Sequence, residues 1–215
     1  NQATYISGKF DQTNHLPYQP LIDAFRQVVM QILTENDKQV ASWKKKIVRA
    51  IGRNARIITE VIPELVAIIG ETPELESLLV EDASNRFVHV FRQFVQVFTT
   101  SNQPLVLFLD DVQWADKASL QLVHSLITDP NSHHLLVIAS FRTNQAGHVI
   151  RQFEGLERFG VTYTHYTLAP FSLKDVERFV AYTLATSPDM VKGLAVLVFR
   201  KTAGNPFYMK HMLRM

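Results

Sequence analysis

Pro104-Leu105-Val106-Leu107-Phe108-Leu109-Asp110-Asp111-Val112-Gln113-Trp114-Ala115-Asp116 is the stretch that decides the fold. An uncharged apolar run ends abruptly in two adjacent acids. A strand buried on both faces, as in a parallel sheet, reads this way. Ligands in open α/β sheets sit beyond the carboxyl ends of the strands, and Asp110 falls at that end.

Moving toward the C-terminus, Asp116 is placed to cap a helix running from about Asp116 to Ile127. Leu135 to Phe141 is a second apolar strand, followed by a helical piece over about Val149 to Arg158 and a third, more alternating strand over about Val161 to Leu168. That βαβαβ order predicts a doubly wound parallel sheet. Toward the N-terminus, Asp82 to Thr100 is a long helix whose Phe87, Val90, Phe91, Phe94, Val95 and Phe98 form a core stripe. Ile57 to Ile69 is a segment broken at Pro63 and stopped by Gly70. Gln39 to Ile51 carries Lys44, Lys45 and Lys46 on a solvated face, and Pro20 to Leu33 repeats apolar residues at helical spacing. Tyr5 to Phe10 reads as a short strand. Beyond Ala169-Pro170-Phe171 the chain turns wholly helical, opening on a capping box at Ser172 to Asp175 and broken by Gly204-Asn205-Pro206. The expected division is an α/β core over residues 1–169 and a helical lid-type subdomain over 170–215.

The acid pair carries the chemistry. Mg²⁺ is a hard cation that takes oxygen ligands, and a strand-end carboxylate such as Asp110 can hold it directly or through water. Asp111 points elsewhere and can polarise a water. Read alone, the pair is equally a set of acids opening a loop. Arg142, at the end of the second strand, can reach a phosphate with its planar fork, or can be an exposed loop residue.

Phosphate binding by this pattern calls for G-x-x-x-x-G-K-[S/T], whose backbone N–H groups wrap the phosphates. The only Gly-Lys pair is Gly8-Lys9. The earlier glycine position is Ala3 and the hydroxyl position is Phe10, so the chain has no phosphate loop of its own.

Three blocks in order resemble one family: Ile6-Ser7-Gly8-Lys9-Phe10-Asp11-Gln12, Leu105 to Asp116, and Lys201-Thr202-Ala203-Gly204-Asn205-Pro206-Phe207. Together they look like the AAA-type ATPase domain of the STAND signalling ATPases, as found in large bacterial sensor proteins between a serine/threonine kinase domain and GAF plus histidine-kinase domains. The resemblance implies a P-loop NTPase-like sheet with a helical insertion and a small C-terminal all-helical subdomain. It implies ATP and Mg²⁺ as ligands in the intact protein. Asp110 would be the Walker B metal residue, Asp111 the water-activating acid and Arg142 the γ-phosphate sensor. Gly204, Asn205 and Pro206 would pack near the adenine and report nucleotide state. Partners would be flanking kinase and sensor domains, with nucleotide-dependent self-association. In that family a strand and phosphate loop precede the segment matching Tyr5 to Phe10, so truncation before that point is the expectation. Asn85-Arg86-Phe87 also resembles a family block; it assigns Arg86 no role, and an exposed helical arginine is the expectation there.

Composition bounds the alternatives. The chain is 47% hydrophobic and 20% charged, with 22 Lys and Arg against 20 Asp and Glu for a net +2. That suits a globular core and gives no case for nucleic acid or an acidic membrane. No apolar run approaches the roughly 20 residues needed to span a bilayer. The chain lacks cysteine, which fits a cytoplasmic setting and excludes thiolate chemistry. His133-His134 and the other histidines lack metal spacing, and no G-x-S-x-G elbow supports a serine hydrolase. The competing reading is a non-catalytic scaffold that contacts partners through Pro20 to Ile69 and the helices after Pro170.

Overall fold

The computed structural model describes residues 3–13, 16–74 and 80–213, without the side chains of 80–82. It divides into two compact units, Asn1–Tyr163 and Thr164–Met215.

The first unit is built on a parallel sheet ordered β1-β2-β3, from β1 (Thr4–Lys9), β2 (Leu105–Asp110) and β3 (Leu135–Ala139). Among the described residues, α1 (Gln19–Ile32), α2 (Asp37–Ile51), α3 (Ala55–Val61), α4 (Val66–Ile69) and α5 (Val80–Gln96) lie between β1 and β2. The Pro63 break is a 3₁₀ turn over Pro63–Leu65, and Gly70 ends α4 with a φ of 88°. α6 (Lys117–Thr128) links β2 to β3, and α7 (Gly147–Phe153) follows β3.

Register explains the layering. Ile6, Leu107 and Val137 stand in line across the sheet, as do Tyr5, Val106 and Leu136, and Ser7, Phe108 and Ile138. Side chains alternate faces along a strand. Leu105, Leu107 and Leu109 are buried with Ile6 in one core, joined by Leu21, Phe25, Phe91 and Phe94. The opposite face stays open, with Tyr5 62% and Leu136 55% exposed. So β2 buries one face completely and the other only in part, where the apolar run alone suggested burial on both. Right-handed crossovers between strands added in a single direction put their connecting helices on one side of the sheet, which accounts for the difference.

The expected strand over Val161 to Leu168 does not form; that stretch has no regular structure and is largely exposed. Its Val, Thr and Tyr content favours extended backbone, but a strand requires a ladder partner, and among the described residues the segment pairs with none. The Phe stripe is core as read: Phe91, Phe94 and Phe98 interlock with Phe25. Arg86 is a correction. It is half-buried and forks both Nε and Nη2 onto Asn54 Oδ1 at 3.1 and 2.7 Å, tying α5 to the turn before α3.

The second unit holds α8 (Leu173–Thr183), α9 (Lys192–Thr202) and α10 (Pro206–Met212). The capping box at Ser172 and Asp175 is present. Val176, Val180, Val191, Ala195, Val198 and Met209 form its separate core.

Candidate functional site

Parallel pairing brings the strand ends together. Lys9 of β1 lies opposite Asp110 of β2. Phe10 N–H donates to the Asp110 carbonyl at 3.0 Å, and Ser140 N–H to the Leu109 carbonyl at 2.9 Å. The backbone on both sides of Asp110 is thereby pinned. Asp111 then takes a left-handed conformation, φ 55° and ψ 39°. Aspartate is among the few non-glycine residues that tolerate this region. The reversal turns the chain into a 3₁₀ turn, Val112–Trp114, yet Asp111 does not point away from Asp110 as expected, because both carboxylates present an oxygen to the Lys9 ammonium. Asp116 caps α6, accepting from Ser119 N–H at 2.9 Å, so its capping reading holds.

Each carboxylate is held at one oxygen by a neutral donor. Ser140 Oγ donates to Asp110 Oδ1 at 2.5 Å, and Gln113 Nε2 donates to Asp111 Oδ1 at 2.8 Å. The other oxygens both face Lys9 Nζ, at 3.2 Å from Asp110 Oδ2 and 3.0 Å from Asp111 Oδ2. The Gln113 amide, then the Lys9 ammonium, holds the Asp111 carboxyl below the usual carboxylate range, with Arg142 adding a smaller pull in the same direction. Lys9 is pushed up, first by Asp111 and then by Asp110.

Gln113 is the bridge of the site. It is buried at 4% exposure, and its Oε1 accepts from Arg142 N–H at 3.1 Å while its amide holds Asp111. It therefore fixes the start of the loop after β3 against the loop after β2. Arg142 itself is exposed.

Asp110, Asp111 and Arg142 thus share one end of one sheet, together with Ser140, Gln113 and Lys9, whose roles the sequence did not disclose. Strand-end register is the signal that finds them. Lys9 drew attention only as a failed phosphate-loop lysine. His133 and His134 are exposed in the turn before β3.

Gly204, Asn205 and Pro206 belong to the second unit, where each has a local task. Gly204 has a φ of 74°, and a Cβ there would meet the Phe171 carbonyl oxygen at 2.1 Å. Phe171 N–H donates to the Gly204 carbonyl at 2.9 Å. Asn205 caps α10 by accepting from Phe207 N–H at 3.0 Å, and Pro206 opens the helix.

The donor set suits a hard cation. Asp110 and Asp111 offer carboxylate oxygens, and the described residues contain no group of three or more His, Cys, Asp or Glu that could cage a metal. Mg²⁺ fits such a partial set, since it commonly takes one or two carboxylates and completes its shell with water and phosphate.

Comparison with known proteins agrees with this architecture. The family model described as AAA ATPase domain matches residues 1–138. The hybrid signal transduction histidine kinase G of Dictyostelium discoideum is 30% identical over 99% of this chain, which spans 8% of that protein. Histidine protein kinase 1 of Candida albicans is 28% identical over 57% of the chain, covering 6% of its own length. No solved structure matches. Among the described residues, no helix is long and apolar enough to cross a membrane. A parallel sheet with acids at its carboxyl ends, inside a region matched by that family model, makes this chain a member of the AAA ATPase domain family.

Proposed function

We propose that the chain is part of an ATP-binding and ATP-hydrolysing switch within a larger signal-transduction protein of the STAND type. The supporting observation is the convergence of Asp110, Asp111 and Arg142 at one sheet end, in an AAA ATPase domain whose relatives are named as signalling histidine kinases.

Asp110 holds Mg²⁺ in this reading, with Ser140 fixing the unused carboxylate oxygen. When bound, the metal supplies positive charge to the nucleotide's phosphate oxygens. Asp111, a carboxylate at neutral pH that Gln113 and Lys9 hold lower still, can accept a proton from a water at Oδ2. Arg142, started from a backbone pinned by Gln113, offers forked donors to a terminal phosphate. Gly204, Asn205 and Pro206 form the adenine-side element that reports nucleotide state. The phosphate-binding loop comes from polypeptide outside these 215 residues, because their sequence contains no G-x-x-x-x-G-K-[S/T]. Flanking kinase and sensor domains are the partners of the switch.

The test is a titration of a fluorescent ATP analogue with Mg²⁺ against this chain and against the same chain carrying about sixty upstream residues, room for a strand–loop–helix unit. Binding by the extended chain alone is the expected result. Binding by neither overturns the reading in favour of a non-catalytic scaffold. Binding by the short chain alone relocates the phosphate site.

A further inference from the structure

We propose that Lys9 is a built-in counter-ion that keeps the place of a divalent cation at Asp110, and that metal loading is an exchange in which the ammonium leaves as the metal enters. The inference rests on the metal-holding role of Asp110 proposed above.

The geometry separates what is fixed from what is free. Ser140 and Gln113 hold one oxygen of each carboxylate from the frame. The remaining two oxygens turn toward a common point, and the Lys9 ammonium occupies it at 3.2 and 3.0 Å. The backbone beneath Lys9 cannot follow its side chain away. Gly8 lies so close under α1 that an added Cβ would meet the Pro20 carbonyl oxygen at 2.2 Å. Phe10 N–H is bonded to Asp110 on the other side. The Lys9 side chain, by contrast, is 65% exposed. Its four-carbon stem is flexible, and its ammonium is strongly hydrated once released to water.

Charge makes the two cations exclusive. Two carboxylates with one ammonium leave a net negative charge at the site, which attracts a further cation. A divalent ion balances the pair alone. Mg²⁺ bonds oxygen at about 2.1 Å, so an ion touching the free Asp110 oxygen would lie within about 5 Å of an ammonium still in place and be repelled by it. Lys9 therefore offsets part of the acids' charge without metal, and sets a threshold that an entering metal must exceed.

The test measures metal rather than turnover. Mn²⁺ binding to the full 215-residue chain, without nucleotide, is followed by electron paramagnetic resonance for wild type, Lys9→Met, Lys9→Gln and Asp110→Asn. Removal of the competing charge is expected to tighten Mn²⁺ binding about tenfold in both Lys9 variants, and Asp110→Asn to weaken it in wild-type and Lys9→Met backgrounds alike. In ¹⁵N-lysine-labelled wild type, Mg²⁺ should shift the Lys9 Nζ resonance toward that of a free surface lysine. If both Lys9 variants match wild type or bind more weakly while Asp110→Asn still loses metal, the exchange is overturned and Asp110 keeps its role. If Asp110→Asn binds like wild type, or no variant binds, the exchange and the metal-holding role fall together.

Discussion

Asp110 and Asp111 are neighbours in sequence with different surroundings, a difference that the two roles proposed for them require. Asp110 ends a strand whose backbone is bonded on both sides, while Asp111 sits on a left-handed residue and is steered by a buried amide. Asp110→Ala in the intact protein is expected to weaken Mg-ATP binding roughly tenfold, the scale of one charge-assisted contact of about 1.5 kcal/mol. Asp111→Asn keeps an acceptor for Gln113 but cannot take a proton. It should leave the Kd for Mg-ATP within about twofold while kcat falls by at least about 10²-fold, the usual size of a lost general base. A nucleotide-binding titration beside a single-turnover assay separates the two, and normal turnover by Asp111→Asn would remove its assigned role. The bonds that lower the Asp111 carboxyl also blunt its basicity, so its position matters more than its proton affinity.

Elements were legible in the sequence where one local rule governed them. The acid pair announced the end of β2, Asp116 announced α6, and Ser172 with Asp175 announced α8. Val161 to Leu168 misled because extended propensity is local whereas strand formation needs a neighbour, and no neighbour is written in the segment itself. Lys9, Ser140 and Gln113 escaped for a related reason: their importance lies in strand register and in burial beside Asp111, which no local pattern encodes. Arg86 looked like surface because Asn54, its partner, is distant in sequence. The α8 cap supports a prediction at this scale. Hydrogen bonds from the Ser172 hydroxyl, then from its backbone N–H, hold the Asp175 carboxyl below its ordinary value of 3.8. A carboxyl lowered on folding contributes stability that is present above its unfolded value and lost as pH falls through the folded one. Asp175→Ala should therefore lower the thermal stability of α8 at pH 7, and the gap to wild type should close below about pH 4. Melting followed by circular dichroism across that range checks it, and a gap that stays constant with pH would place the effect outside the carboxylate.

The molecule carries two cores of unequal strength. The sheet unit buries a continuous set from Ile6 to Val149. Among the described residues, the helical unit rests on a small buried apolar set, Val176, Val180, Ala181, Val191, Ala195, Val198 and Met209. Small cores are marginal, because little of their surface is removed from water relative to the chain entropy they must offset. The helical unit should accordingly be the first part to open locally. Gly204 is where it is most easily tested. Its left-handed backbone costs a side-chain-bearing residue about 1–2 kcal/mol, and the 2.1 Å approach of the Phe171 carbonyl adds a direct clash. Gly204→Ala should therefore speed amide hydrogen exchange across α8, α9 and α10 by at least about tenfold, since about 1.4 kcal/mol corresponds to that factor. Exchange in β1, β2 and β3 should stay at the wild-type rate, because their core contains no residue of the second unit. If nucleotide state is reported through Gly204-Asn205-Pro206, the same variant in the intact protein should bind Mg-ATP yet lose the nucleotide-dependent change in exchange across α8 to α10. A change that survives in Gly204→Ala would show that this turn supports the helical unit without carrying the signal.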